Sequence, residues 1–208
     1  MRNKKFFFIV FEGIEGTGKS FQINKLHNNL KKLGYKILKT REPGGSVTAE
    51  RIRSLIFSKI SGRFDKLTDY YLMNAARNEH VKNTILPAKK RKEIIISDRF
   101  TDSTYAYQVI ANKINTNINF LNQKYILNDL KPHLTIVLKS NFKSIHSRIK
   151  KRNKNNRFDK LKKTFYKKAQ NTFLSLAKKK KNYLIFDSSE NTPVLEKKIL
   201  TAVLKKIN

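Results

Sequence analysis

Cysteine is absent from the 208 residues. That excludes a disulfide framework, a cysteine-based zinc site and a thiol nucleophile, and it fits a reducing compartment. Long apolar runs are missing as well. The run Phe6 to Phe11 holds six residues, too short for a membrane-spanning helix or the core of a typical signal peptide. A cytoplasmic protein without a membrane partner is expected. Glycine and proline number only 7 and 4, and they form no linker; neither a repeat nor a long disordered tail is visible. A single domain over 1–208 is expected, long enough to bury one sizeable core unaided. Acidic residues are also scarce, 15 against 46 Lys and Arg, for a formal net charge of +31. Clustered cations on that scale would point to nucleic acid. Here lysines are scattered over almost every helical pattern together with many Asn and Ile. The reading is a solvated basic surface, with a selected polyanion site as the alternative.

What is present is an alternation of short β-rich runs and longer helical patterns. The runs are Phe6–Glu12, Lys36–Arg41, Glu93–Ser97, Leu134–Leu138 and Tyr183–Phe186. Each is nearly continuously apolar or β-branched, as in strands covered on both faces, so five parallel strands wrapped by helices are expected. Ile23, Leu26, Leu30 and Leu33 recur at helical spacing and Gly34 follows where a helix terminates. Comparable patterns cover about 47–58, 66–86, 103–113, 117–129, 142–151, 158–180 and 192–206. The Lys178–Lys181 run is expected at the solvated end of a helix, where cations complement the dipole.

Between the first strand and the first helix stands Gly13-Ile14-Glu15-Gly16-Thr17-Gly18-Lys19-Ser20, a complete GxxxxGK[ST] phosphate-binding loop in its required context. Its glycines let backbone N–H groups turn inward onto phosphate, Lys19 reaches the β- and γ-phosphates of ATP, and Ser20 can ligate Mg²⁺. Asp98, at the end of the third strand, is the candidate acid on the metal side, and Arg99 beside it suits phosphate.

Four segments together resemble the thymidylate kinase family across nearly the whole chain. They are the loop Phe11 to Ser20, Arg41-Glu42-Pro43-Gly44-Gly45, Ala75-Ala76-Arg77, and Asp98-Arg99-Phe100 with Ser103 and Ala106-Tyr107-Gln108. The resemblance implies ATP and dTMP as substrates, Mg²⁺, and a homodimer. It makes Arg41 and Arg99 the grip on the acceptor phosphate, Pro43 part of the turn over the acceptor, and Glu15 the contact to its 3′-hydroxyl. Arg77 reads the thymine edge; Met73, Ser103, Tyr107 and Gln108 line the nucleoside pocket. A bulky Tyr107 would exclude a ribose 2′-hydroxyl.

Residues 148–159 resemble the family's lid. Lys143 to Lys163 carries ten Lys or Arg against one Asp, and the variable loop residues Ile14, Glu15 and Thr17 bring no cation. That resembles the bacterial subgroup whose transition-state arginine comes from the lid, with Arg152 and Arg157 as candidates. The chain also departs from the family. Met73 replaces a phenylalanine that stacks on thymine, Asn156 an acid, Phe173 a tyrosine and Phe21 a threonine, while His133 and Lys139 also replace acids. His27, His80, His133 and His146 form no catalytic pattern and are expected to be structural or exposed. The competing readings are another small P-loop kinase and a basic nucleic-acid-binding ATPase.

Overall fold

The structure, a computed structural model, describes residues 5–58, 64–150, 162–189 and 192–207. The five runs fold as β1 (Phe7–Glu12), β2 (Ile37–Arg41), β3 (Ile94–Asp98), β4 (Leu134–Lys139) and β5 (Tyr183–Asp187). All pair in parallel, in the order β2-β3-β1-β4-β5. The helices are α1 (Lys19–Lys32), α2 (Val47–Phe57), α3 (Lys66–His80), α4 (Leu86–Lys90), α5 (Thr101–Thr104), α6 (Thr116–Leu127), α7 (Phe142–Lys150), α8 (Lys163–Lys178) and α9 (Thr192–Ile207).

Two helices expected to be continuous are not regular. Val81–Ile85 joins α3 to α4 as a π turn, and Tyr105–Ala111 continues α5 in the same way. Such wider turns gather at functional sites because they re-aim side chains within a helix, and the second one carries Tyr107 and Gln108.

Helix starts follow local chemistry. The side chains of Ser46, Asp65 and Asn115 accept from the N–H groups that open α2, α3 and α6. Gly34, at φ +84°, follows the end of α1 as expected.

Pleating sends alternate residues of β1 to opposite faces. Phe7, Ile9 and Phe11 pack with Ile23, Leu26 and Leu30 of α1 and Leu195, Ile199 and Val203 of α9. Phe8 and Val10 pack with Val81, Ile85, Ala88 and Phe100 on the other face. A third cluster joins Ile14, Tyr107, Val137, Ile145 and Phe173. The two-sided cover inferred from the apolar runs holds for β1, β3 and β4, whose residues are nearly all buried; β2 and β5 are edges and stay half-exposed. Register then fixes the site: Phe11 lies opposite Asp98, and Asp98 opposite Arg41, so β1, β2 and β3 finish level at one edge.

Candidate active site

Gly13 leaves β1 at φ +137°, and a Cβ there would lie 2.4 Å from the Leu138 carbonyl oxygen. Only glycine lets the loop pass so close to β4. Gly18 precedes α1 without a side-chain cap, which leaves the first N–H groups of that helix facing outward to an anion. Lys19 curls back over the loop, its Nζ donating to the Gly13 and Ile14 carbonyls at 2.9 and 3.0 Å. Burial, reinforced by the Arg99 charge, lowers its pKa to about 8. The Thr17 hydroxyl also donates to the Ile14 carbonyl, and the Ile14 side chain is buried in the core. These two residues shape the loop and offer backbone alone.

Ser20 and Asp98, 78 residues apart, meet at the floor of the cleft, where Ser20 Oγ donates to Asp98 Oδ2 at 3.0 Å. The other carboxylate oxygen, Oδ1, is buried and has no hydrogen-bond partner among the described residues. Arg99 follows in the left-handed region, at φ +76°. Its Nη1 donates to the Gly13 carbonyl at 3.0 Å and to Ser103 Oγ at 2.9 Å, and its Nη2 to Glu15 Oε1 at 2.7 Å. The remaining Glu15 oxygen accepts from the Tyr107 hydroxyl at 2.6 Å. Burial alone would raise the Glu15 pKa, but Arg99, Lys19 and the Tyr107 hydroxyl outweigh it and hold it below the usual range. Burial and the Glu15 charge push the Tyr107 phenol well above its ordinary value, so it remains a donor.

Arg77 is not on a solvated helix face; it is 3% exposed. Its Nε donates to Glu42 Oε2 at 2.8 Å, and its Nη2 to the Phe100 carbonyl at 3.0 Å and Thr104 Oγ1 at 2.9 Å. Glu42 Oε1 accepts from His80 Nδ1 at 2.9 Å, while His80 Nε2 lies 2.7 Å from Thr40 Oγ1. Burial works to raise the Glu42 pKa; Arg77 and His80 together win and lower it. Nearer the surface, Arg41 pairs with Glu50 at 2.9 Å, and Arg53 donates to the Pro43 carbonyl at 2.7 Å.

These groups surround one cleft of about 380 Å³ at the carboxyl edge of the sheet. Of the candidate residues in the described chain, all but Gly13, Ile14 and Thr17 line it. Arg152 and Arg157 lie outside the described residues. Arg148, at the start of the lid segment, also lines the cleft, and its Nη1 donates to the Gly16 carbonyl at 3.3 Å. The histidines behave as expected: His80 is buried in the Glu42 network and His133 Nδ1 accepts from the Phe8 amide. Sequence reasoning overlooked Glu12, Glu42, Arg53 and Thr104. For Glu12 a signal existed, since it is the one acid inside an otherwise apolar strand. The pairing of Glu42 with Arg77 spans 35 residues and leaves no local trace.

Among the described residues no three His, Asp or Glu side chains converge to cage a metal. One acid and one hydroxyl beside a phosphate loop instead suit a cation carried in on a nucleotide. With the loop after the central strand and cations across the adjoining crevice, the arrangement is that of a P-loop nucleotide kinase.

The comparisons narrow the class. A family model described as thymidylate kinase matches residues 11–199. A thymidylate kinase from Mycoplasma capricolum subsp. capricolum is 35% identical, covering 96% of this chain and 95% of its own. One from Geotalea daltonii is 36% identical, covering 97% and 98%. The crystal structure of a thymidylate kinase from Ehrlichia chaffeensis, 27% identical, superposes with a TM-score of 0.78 over 96% of this chain and 99% of that one. The chain belongs to the thymidylate kinase family.

The buried Arg77–Glu42 pair yields a stability prediction. Glu42→Gln leaves the guanidinium without its counter-charge and is expected to cost about 3–5 kcal/mol at neutral pH. Because the folded pKa of Glu42 is depressed, its contribution is complete above the unfolded value of about 4.3 and is lost as pH falls through the folded one. Urea denaturation should therefore show the gap between native protein and variant constant from pH 7 to 5 and narrowing below pH 4.

Proposed function

We propose that this cleft carries out the family's reaction, phosphorylation of dTMP to dTDP by ATP, with the following division of labour. The loop amides and Lys19 hold the β- and γ-phosphates, whose negative charge restores the lysine's full protonation. Mg²⁺ fits Ser20 and the free oxygen of Asp98, a hard-oxygen pair, and it supplies charge neutralisation between the phosphates when bound. Arg99 and Arg41, from the ends of two strands, grip the acceptor phosphate and align it for in-line attack. Such transfer consists mainly of positioning and charge stabilisation. Glu15, held ionised by Arg99, accepts from the acceptor's 3′-hydroxyl.

The observation that carries the acceptor assignment is the placement of Arg77. Its guanidinium is fixed by Glu42, Asn74, Phe100 and Thr104 on the wall of the same cleft as Met73 and Gln108. A rigidly held guanidinium beside the apolar Met73 suits the carbonyl edge of thymine. Met73 provides apolar contact there without ring stacking. Tyr107 is locked by its bond to Glu15 and packs against Phe165 and Phe173, a rigid wall suited to exclude a ribose 2′-hydroxyl.

A homodimer and a cytoplasmic location complete the reading. Val47 and Leu55 of α2, Leu67 and Tyr71 of α3, and Phe120, Leu121 and Tyr125 of α6 are exposed large apolar side chains on helices that pack side by side. They suit cover by a second copy. No helix among the described residues is long and apolar enough to cross a membrane.

The decisive assay couples ADP release to dTMP, dUMP, dCMP, dGMP and AMP in turn. Activity concentrated on dTMP is expected; a preference for another monophosphate would point to a different small P-loop kinase. Lys19→Ala should lower turnover at least about a hundredfold in a folded protein, since charge stabilisation at the transferred group is worth about 3 kcal/mol or more. Replacing both Arg152 and Arg157 by Met should cut turnover below about a tenth while changing the dTMP KM little, the mark of a contact made in the transition state. Retention of more than that would place no catalytic arginine at either position. Sedimentation equilibrium should give a dimer for the native chain and a shift towards monomer for Tyr125→Glu; identical masses would remove α6 from the interface.

A further inference from the structure

Glu12, the last residue of β1, is fully buried, and it is absent from the cleft wall. A carboxyl group so placed does not face the cleft, yet it is densely bonded. Its Oε1 accepts from the Phe100 N–H at 2.8 Å and from the Ser103 N–H at 3.2 Å. Its Oε2 is bonded to the Ser103 hydroxyl at 2.6 Å. Both sets of contacts converge on one neighbour. Phe100 N belongs to the peptide unit directly after Arg99, and the same Ser103 hydroxyl accepts from Arg99 Nη1 at 2.9 Å. The Glu12 carboxyl group thus grips Arg99 from its backbone and, through Ser103, from its side chain.

Arg99 requires such a grip. Its φ of +76° is one that non-glycine residues adopt only when their surroundings over-determine it. Three further contacts hold the same turn: Arg99 N donates to the Phe11 carbonyl, Ser97 Oγ donates to the Arg99 carbonyl, and Glu15 takes Nη2. The Phe11 and Ser97 contacts fix the backbone on the strand side. On the helix side, the N–H groups of Phe100 and Ser103 both end on Glu12.

We propose that Glu12 is the positioning residue for Arg99: by clamping Phe100 and Ser103 it aims the Arg99 guanidinium at the acceptor phosphate. The inference rests on the reading that Arg99 binds that phosphate. It makes a selective demand: loss of aim at Arg99 weakens the phosphate contact most, while the thymine contact of Arg77 stays in place and the sugar side keeps the Glu15–Tyr107 bond.

The test is calorimetric titration of dTMP and of thymidine, without ATP, into the native chain, Glu12→Ala, Arg99→Met and the double variant. Glu12→Ala is expected to raise the dTMP Kd about tenfold, as befits one misaligned charge-assisted contact, and to shift the thymidine Kd less than about twofold. In the Arg99→Met background it should add nothing further, since coupled residues fail to be additive. Equal weakening of dTMP and thymidine, or a loss of undiminished size in the Arg99→Met background, would overturn the inference and leave Arg99's own role intact. Native-like dTMP affinity in Arg99→Met would instead overturn that role, and the inference with it. Should Glu12→Ala not fold, Glu12→Asp keeps a carboxyl but shortens the clamp by one methylene, and the same ligand pair and the same cycle decide.

Discussion

The parallel register of β1 on β3 puts Phe11 opposite Asp98, and β2 on β3 puts Arg41 opposite the same residue. Each charged group of the site depends on that alignment. A shift of one residue would send Asp98 to the other face of the sheet, away from Ser20, and would carry Arg99 away from the Gly13 carbonyl and Glu15. Such registers are specified where strand faces are buried, and β1 and β3 are buried nearly throughout. The apolar runs therefore do more than fill the core, because they hold the charged groups of the cleft in register.

On that frame stand buried charges whose desolvation would be prohibitive singly. They occur as linked sets. Glu15 joins Arg99 to Tyr107, and Glu42 joins Arg77 to His80. Glu12 marks the limit of the arrangement: burial and the neighbouring Asp102 carboxylate push its pKa up to about 8, against the pull of Arg99 and the Ser103 and Phe100 donors. The protein tolerates a carboxyl this strongly perturbed beside its phosphate loop, and perturbed groups concentrate where chemistry is arranged.

The strands, the phosphate loop and most helix boundaries were legible in the sequence because each is written in neighbouring residues: apolar runs, glycine spacing, a cap. The two π turns were not, because one extra residue per turn leaves the hydrophobic period almost unchanged over five to seven residues. Arg77 and Arg99 were legible through family resemblance, yet what holds them was hidden. Glu42 reaches Arg77 across 35 residues and Glu12 reaches Ser103 across 91, separations at which no periodicity speaks. The apolar side chains of α6 were read only as a helix; their exposure became visible once α3 was seen to occupy its other side.

Charge composition makes sense on the same terms. The chain has 15 acidic residues against 46 basic ones, and Glu12, Glu15, Glu42, Glu50, Asp98 and Asp102 all lie in or against the site. Its partners there are chiefly arginines, Arg41, Arg53, Arg77 and Arg99, whereas the exposed helix faces carry mostly lysine. A solvated cation makes no geometric demand, so lysine serves as well as any residue on those faces. A guanidinium bonded simultaneously to a carboxylate, a carbonyl and a hydroxyl uses its planar fork, which an ammonium cannot reproduce. The excess of lysine therefore thins where bonding geometry begins, and three of the acids at the site, Glu15, Glu42 and Glu50, bond its arginines directly.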